Sequence, residues 1–282
     1  MYRTTHADGP GPLIAAEASR NTPATAREAL RATGARLLNL GLALLIFTAC
    51  WTALAAALQR DIMPYPWQVL PVFVSEMQGD LWDHTVASAG RVLKAIAVAT
   101  LIATPAGLGL GQIRALNRIF SPLIGLVHPI PKIVFLPVIL VILGIGETSK
   151  VFLIALILFF QILVVVRDEA ASLRPELIQS VRSLGAGRRA LFRFVYLPAS
   201  LPAVLTALRV SVGTAIAVLF IAEQYSTRQG LGYYIVTLTW QRLRYEKMYA
   251  GILAMSLLGL ALYLVVDALE RLVGRWRQAG ES

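Results

Sequence analysis

Three ionisable residues stand inside stretches that are otherwise apolar: Lys132 after a double-proline segment, Arg209 in the middle of a hydrophobic run, and Glu223 at the end of that run. A charge at such a depth is costly in hydrocarbon, so it faces a bundle interior, a watery path or a partner. Lining a path, Lys132 and Arg209 would help an anion pass; bonded to carboxylates or carbonyls, they would be structural. Glu223 reads as an interfacial or gate residue. Catalytic chemistry finds no comparable material. The chain has no Gly-x-x-x-x-Gly-Lys-Ser/Thr phosphate loop, no His-Glu-x-x-His pair and no nucleophile motif. GIGETSK, 144–150, shares letters with the phosphate loop but lacks its spacing. His128 has no second ligand at metal spacing and reads as packing or hydrogen bonding. The single cysteine, Cys50, permits neither a disulfide framework nor a cysteine-based metal site.

The elements that must position these charges are membrane helices. Of 282 residues 57% are hydrophobic and only 15% charged, with a mean hydropathy of +0.66, far outside soluble averages. The formal charge of +10 does not suggest nucleic acid, because the arginines flank apolar runs and form no basic stripe interleaved with aromatics. Residues 1–35 read as a disordered tail, too long before the first apolar run for a secretory signal peptide. About 20 apolar residues span a bilayer as a helix, and the first such segment lies in 36–60. Further spans are expected at 95–113, with a helical turn or two before it, then at 119–146, 151–166, 201–222 and 248–266. The third carries four prolines and Lys132, so it must be kinked or partly unwound.

Six spans place both termini on one side. Bases concentrate in the segments that share that side, while the first loop opposite carries Asp61, Glu76, Asp80 and Asp83. The positive-inside rule makes the basic side cytoplasmic. One outer loop runs against the rule, with Arg228, Arg242, Arg244 and Lys247. GLGLG, 107–111, reads as a smooth surface for close helix packing.

Among the cytoplasmic segments, 168–200 is the most sharply punctuated. Pro175 suits a first helical turn and Gly185 the left-handed position that ends a helix. Between them Leu177, Ile178, Val181 and Leu184 share one face, suited to a groove on a partner or to the membrane interface. A second helical segment, RRALFRFVY, follows, and Leu197-Pro198 is expected to end it, since proline disfavours helical geometry in the residue before it.

This segment resembles the cytoplasmic signature of inner-membrane permease subunits of ATP-binding-cassette importers: Glu-Ala-Ala, three residues, Gly, nine residues, Ile, any residue, Leu-Pro. Gly185 is followed by nine residues and then Val195, Tyr196, Leu197 and Pro198. The Glu-Ala-Ala positions fall on Gln179, Ser180 and Val181, a departure that removes the charged anchor, for which Glu176 is a possible substitute. HPIPKIVFLPVILVILGIGETSKVFLIAL, together with LPASLPAVLTALRVSVGTAIAVLFIAE and QGLGYYI, is similar to the nitrate, sulfonate, taurine and bicarbonate branch, although the same blocks occur in permeases for other small molecules. The resemblance covers about 80–275.

It implies an all-α membrane protein with the type I importer permease fold, in the bacterial inner membrane. Glu176, Gln179, Ser180, Val181, Arg182, Gly185, Val195, Leu197 and Pro198 would contact or transmit force from a separate ATPase, present in two copies and itself holding ATP and Mg; this chain needs no cofactor. A second permease copy and a solute-binding protein complete the expected assembly. Arg242 and Arg244 would receive acidic residues of the binding protein, or snorkel towards headgroups. The competing class is an ATP-independent channel or secondary transporter, against which stand the lack of a visible inverted repeat and of an acidic relay.

Overall fold

The computed structural model describes residues 26–58, 61–225 and 227–278 and divides into two units, 1–59 and 60–282. Most of the expected tail lies outside the described residues. The unit 1–59 contributes α1 (Ala26–Leu58), which begins well before the expected 36 because Ala26 to Ala32 are predominantly strong helix formers. Leu38, Leu42, Leu45 and Phe47 are exposed around it, as suits a helix solvated by lipid.

The unit 60–282 opens with α2 (Pro66–Glu76), whose start is set by Pro66 and by the Gln68 side chain accepting the Tyr65 N–H at 2.7 Å. Next, α3 (Asp80–Gln112) carries Asp80 and Asp83 in its first turn, where carboxylates complement the helix dipole. It begins earlier than the expected 95–113 with a turn or two before it. The missing part is legible only as a helix of mixed polarity, in which His84, Ser88 and Arg91 turn inwards to bonds described below.

After Ile113 the chain turns into α4 (Arg114–Val127), and α5 (Leu136–Leu143) follows a tight turn, Lys132–Phe135. The two helices are bent by 83°, so the expected break is present. Pro129 and Pro131 supply no N–H to the carbonyls before them. The Lys132 ammonium replaces those donors, bonding the carbonyls of Val127, His128 and Ile130 at 3.1, 2.8 and 3.2 Å and lying 4.7 Å from the centre of the Phe160 ring.

The core is the pairing of α3 with α6 (Glu147–Ser172). These helices run parallel, since Arg91 meets Glu147 near their starts and the Gln112 side chain meets the Ala170 carbonyl near their ends. Ala95, Ala99, Ala103 and Gly107 form a small-residue stripe on α3, buried against Ile154, Leu158, Ile162 and Val166 of the α6 core. Small residues let backbones approach where dispersion, not water exclusion, drives association. At Gly107 and Gly111 a methyl group would collide with Val166 and with the Arg167 carbonyl, whereas at Gly109 it would meet nothing. The packing role expected of GLGLG therefore belongs to its outer glycines.

α7 (Pro175–Ser183), the single turn α8 (Arg188–Leu191), α9 (Leu197–Gln224) and α10 (Tyr245–Gln278) complete the chain. Arg209 of α9 pairs with Asp267 of α10 at 3.3 Å and lies 3.2 Å from Glu270, without hydrogen-bond alignment to the latter. The described residues hold five helices long and apolar enough to span a membrane, or six if the bent pair counts as one.

Candidate functional site

An exposed segment, 175–188, and the buried charges around Glu223 lie at opposite ends of the helix Arg189–Gln224. At one end, Pro175 lies in the first turn of α7 and Glu176 complements its positive pole. Gly185 follows at φ +83° with its N–H donated to the Arg182 carbonyl at 3.0 Å, a conformation for which glycine pays no steric penalty. Glu176, Gln179, Ser180 and Arg182 are exposed. The apolar face divides: Leu177 and Val181 line a groove of about 620 Å³ with Phe194, Val195, Pro198 and Leu272, whereas Leu184 is 86% exposed.

Leu197-Pro198 does not end the second segment, which corrects the expectation from proline geometry. Residues Arg189–Gln224 form one continuous helix. Phe192–Tyr196 adopt a π turn in which the Leu197 N–H bonds the Phe192 carbonyl. Widening the turn by a residue relieves the clash between the Pro198 ring and the preceding carbonyls. Val195 is buried, and Leu197 and Pro198 are exposed in the first turn of α9.

At the far end of α9 the Glu223 side chain is 0% exposed. It accepts the Arg91 guanidinium at 2.5 Å, the Ser88 hydroxyl at 2.8 Å and the Gly232 N–H at 2.9 Å. Arg91 is itself only 1% exposed. It also donates to Glu147 at 2.9 and 3.0 Å and to the Gln229 carbonyl at 2.8 Å. The Gly230 N–H donates to His84 Nδ1 at 2.9 Å, so that nitrogen carries no proton. Lys150, also buried, bonds the Gly146 carbonyl at 3.0 Å. Arg91 and the two carboxylates thus lock α3, α6 and α9 to the QGLG loop, which enters at Gly230 with φ +121°. A Cβ there would overlap Arg91 and Glu223.

Beside this cluster Glu76 of α2 meets Lys247 at 2.5 Å and accepts the Tyr234 hydroxyl at 2.8 Å. Burial pushes the Glu76 carboxyl up, but the bonds from Lys247 and Tyr234 outweigh it and hold the group below its ordinary range. Burial and the Glu76 carboxylate push the Tyr234 hydroxyl up. Arg242 and Arg244 are exposed on the neighbouring turn, with Trp240 exposed beside them and Leu243 in the left-handed region at φ +57°.

The structure joins Glu223 to residues that sequence reasoning had not assigned, namely Ser88, Arg91, Glu147 and the QGLG loop. It does not join Lys132, Arg209 and Glu223 to one another: each has its own partners. Arg91 and Glu147 were visible only as polar residues near span ends, while Ser88 gave no signal.

The described residues thus form a polytopic helical bundle in which an exposed, sharply turned segment runs directly into a long apolar helix. Residues 86–277 match the family described as the binding-protein-dependent transport system inner membrane component, and the chain belongs to that family. The chain is 32% identical to the taurine transport system permease protein TauC of Escherichia coli (strain K12) over 85% of its own length and 89% of that protein's. It is 28% identical to the putative aliphatic sulfonates transport permease protein SsuC of the same organism, over 79% and 84% respectively. Among solved structures, inward-facing MetNI methionine ABC transporter aligns with a TM-score of 0.57 and 22% identity, over 70% of this chain and 97% of that one; this likeness concerns the fold. The protein is an ABC importer permease with the type I fold.

Proposed function

We propose that the chain carries a small anionic solute of the sulfonate or taurine class inward by alternating access, driven by two copies of a separate ATPase that binds ATP and Mg. The observation that carries the reading is the continuity of α9: a helix that begins beside Gly185 in the coupling segment ends at Glu223 in the buried cluster. An ATPase moving Glu176 to Pro198 would therefore move the far end of the bundle as well. Gln179 supplies hydrogen bonds where the family motif has a glutamate, and exposed Glu176 supplies the negative charge. The competing channel or secondary-transporter reading gives the coupling segment no task.

In this reading the termini and coupling segment lie in the cytoplasm, the permease acts as a homodimer, and a binding protein docks on the turn with Trp240, Arg242 and Arg244. Lys132, Arg209 and Glu223 hold the scaffold, because their charges are already matched by carbonyls or ions of opposite sign. Solute contacts fall instead to buried polar atoms without a hydrogen-bond partner among the described residues, including Thr100 Oγ1, Thr104 Oγ1 and Gln161 Oε1. Thr104 stands near the level of Gln161, since Gly107 meets Leu163 and Val166 one turn further on.

The test is uptake of radiolabelled taurine and of an alkanesulfonate by cells expressing the chain with its own ATPase and binding protein. ATP-dependent uptake, reduced several-fold by Thr104→Val or Gln161→Leu at unchanged ATPase co-purification, is expected. ATP-independent solute movement by the chain alone would overturn the importer mechanism; ATP-dependent uptake of a different solute would overturn only the solute assignment.

A further inference from the structure

Near the end of the bundle that carries α7, two cavities meet at one glycine. The first, about 480 Å³, is lined by Gln112, Arg114, Arg182 and Tyr196 as well as by Gly109. The second, about 500 Å³, is lined by Gly109 with Phe120, Leu123, Phe159, Phe160 and Leu163. One limb is cationic and the other wholly apolar in its side chains. Neither Arg114 nor Arg182 makes an ion pair among the described residues, and both are exposed. Arg114 opens α4, whose N-cap is Ile113 and offers no side-chain oxygen to the first-turn N–H groups, so the helix pole adds to the positive field. The apolar limb lies between α3, α4 and α6, of which α3 and α6 are long and apolar enough to span a membrane.

A phosphate beside hydrocarbon matches this pair of limbs. We propose that the structure binds one anionic phospholipid here, its phosphate between Arg114 and Arg182 and an acyl chain passing Gly109 into the groove under Phe120. Guanidinium groups pair with phosphate through directed hydrogen bonds, while the aromatic and leucine lining accepts a hydrocarbon chain. A carboxylate from a cytoplasmic partner would satisfy the arginines but would leave the apolar limb unfilled, and that limb is why a lipid is preferred. Because Arg182 belongs to α7 and Arg114 to α4, the bound lipid ties the coupling segment to the membrane bundle. The proposal does not depend on which solute is carried.

The experiment is native mass spectrometry of the full chain, delipidated in detergent and titrated with phosphatidylglycerol, phosphatidylcholine or inorganic phosphate. Phosphatidylglycerol is expected to bind at least about tenfold more tightly than phosphatidylcholine, a difference that Arg114→Gln with Arg182→Gln removes. Gly109→Leu is expected to weaken the lipid while leaving inorganic phosphate unaffected, since a side chain at that position meets open space and blocks only the passage between limbs. Thermal unfolding confirms that the variants fold. Equal retention of both lipids, or retention of phosphatidylglycerol unchanged in the double arginine variant, overturns the site. Inorganic phosphate binding as tightly as the lipid reduces it to a phosphate site and overturns the lipid assignment. Loss of ATPase co-purification in the double variant with lipid binding intact assigns the arginines to the ATPase interface instead.

Discussion

Arg91 is the residue on which the buried cluster turns, because it alone among the described residues bonds Glu147, Glu223 and the QGLG loop. Replacing it with alanine leaves the Glu223 carboxyl buried and short of its main partner, and breaking one side of a buried pair costs about 3–5 kcal/mol. The expected outcome for Arg91→Ala is a large fall in thermal midpoint in detergent, with Arg209→Ala, whose ion pairs are partly solvated, costing less. Gly185 makes a contrasting prediction. Nothing lies within reach of a Cβ there, so Gly185→Ala is penalised only through its left-handed backbone, by about 1–2 kcal/mol. Its signature is weakened ATPase co-purification, with Gly185→Asn retaining more than Gly185→Ala.

The bond set around Glu76 gives a pH dependence with a definite sign. Its carboxyl is held below its ordinary value, so the folded state binds protons less readily than the unfolded one. The resulting stability is complete above the ordinary carboxyl pKa and disappears as pH falls through the lowered folded value. Tyr234, raised by burial and by Glu76, works oppositely: its contribution is complete below the ordinary phenol pKa and is lost as pH rises through the folded one. Thermal midpoints of wild type and Glu76→Gln should differ at neutral pH and converge in acid.

Among the elements, α3 and α6 make the sharpest prediction. Gly107→Leu and Gly111→Leu force a side chain into the α6 backbone and should each destabilise by about 1–3 kcal/mol or prevent assembly. Gly109→Leu, between them in sequence, should leave the thermal midpoint nearly unchanged. Unfolding midpoints of the three variants decide the matter. The π turn before α9 belongs to the same scale. It was not legible in RRALFRFVYLP, because the proline rule describes an isolated helix, whereas here Val195 is buried beneath the turn and the span beyond holds the helix in line.

For the molecule as a whole, the proposed coupling predicts that motion at the 176–198 end is carried along the continuous helix Arg189–Gln224 to the cluster end. Fixing the far end should therefore impair a process driven from the near one. A cysteine pair introduced at 88 and 231, where the Ser88 hydroxyl accepts the Leu231 N–H at 2.8 Å, is expected to lower ATP-driven uptake on oxidation and to restore it on reduction. Uptake indifferent to oxidation, with the crosslink verified by mass spectrometry, would show that the cluster end stays fixed during transport.

Much of this protein follows from local sequence. Membrane class, the approximate spans, the break at HPIPK and the spacing from Gly185 to Pro198 all depend on hydropathy or on residues a few positions apart, and the chain reports such properties directly. Charge partners were another matter. Glu223 lies 132 residues from Arg91, and Arg209 lies 58 from Asp267. Whether such groups meet depends on the rotation and register of packed helices, where a shift of one residue turns a side chain by about 100°. Hydropathy is nearly blind to that rotation. Lys132 shows the same limit at short range: its sequence placed a cation at membrane depth, and only the folded turn, by aiming three carbonyls at its ammonium, decided that the charge holds the break together.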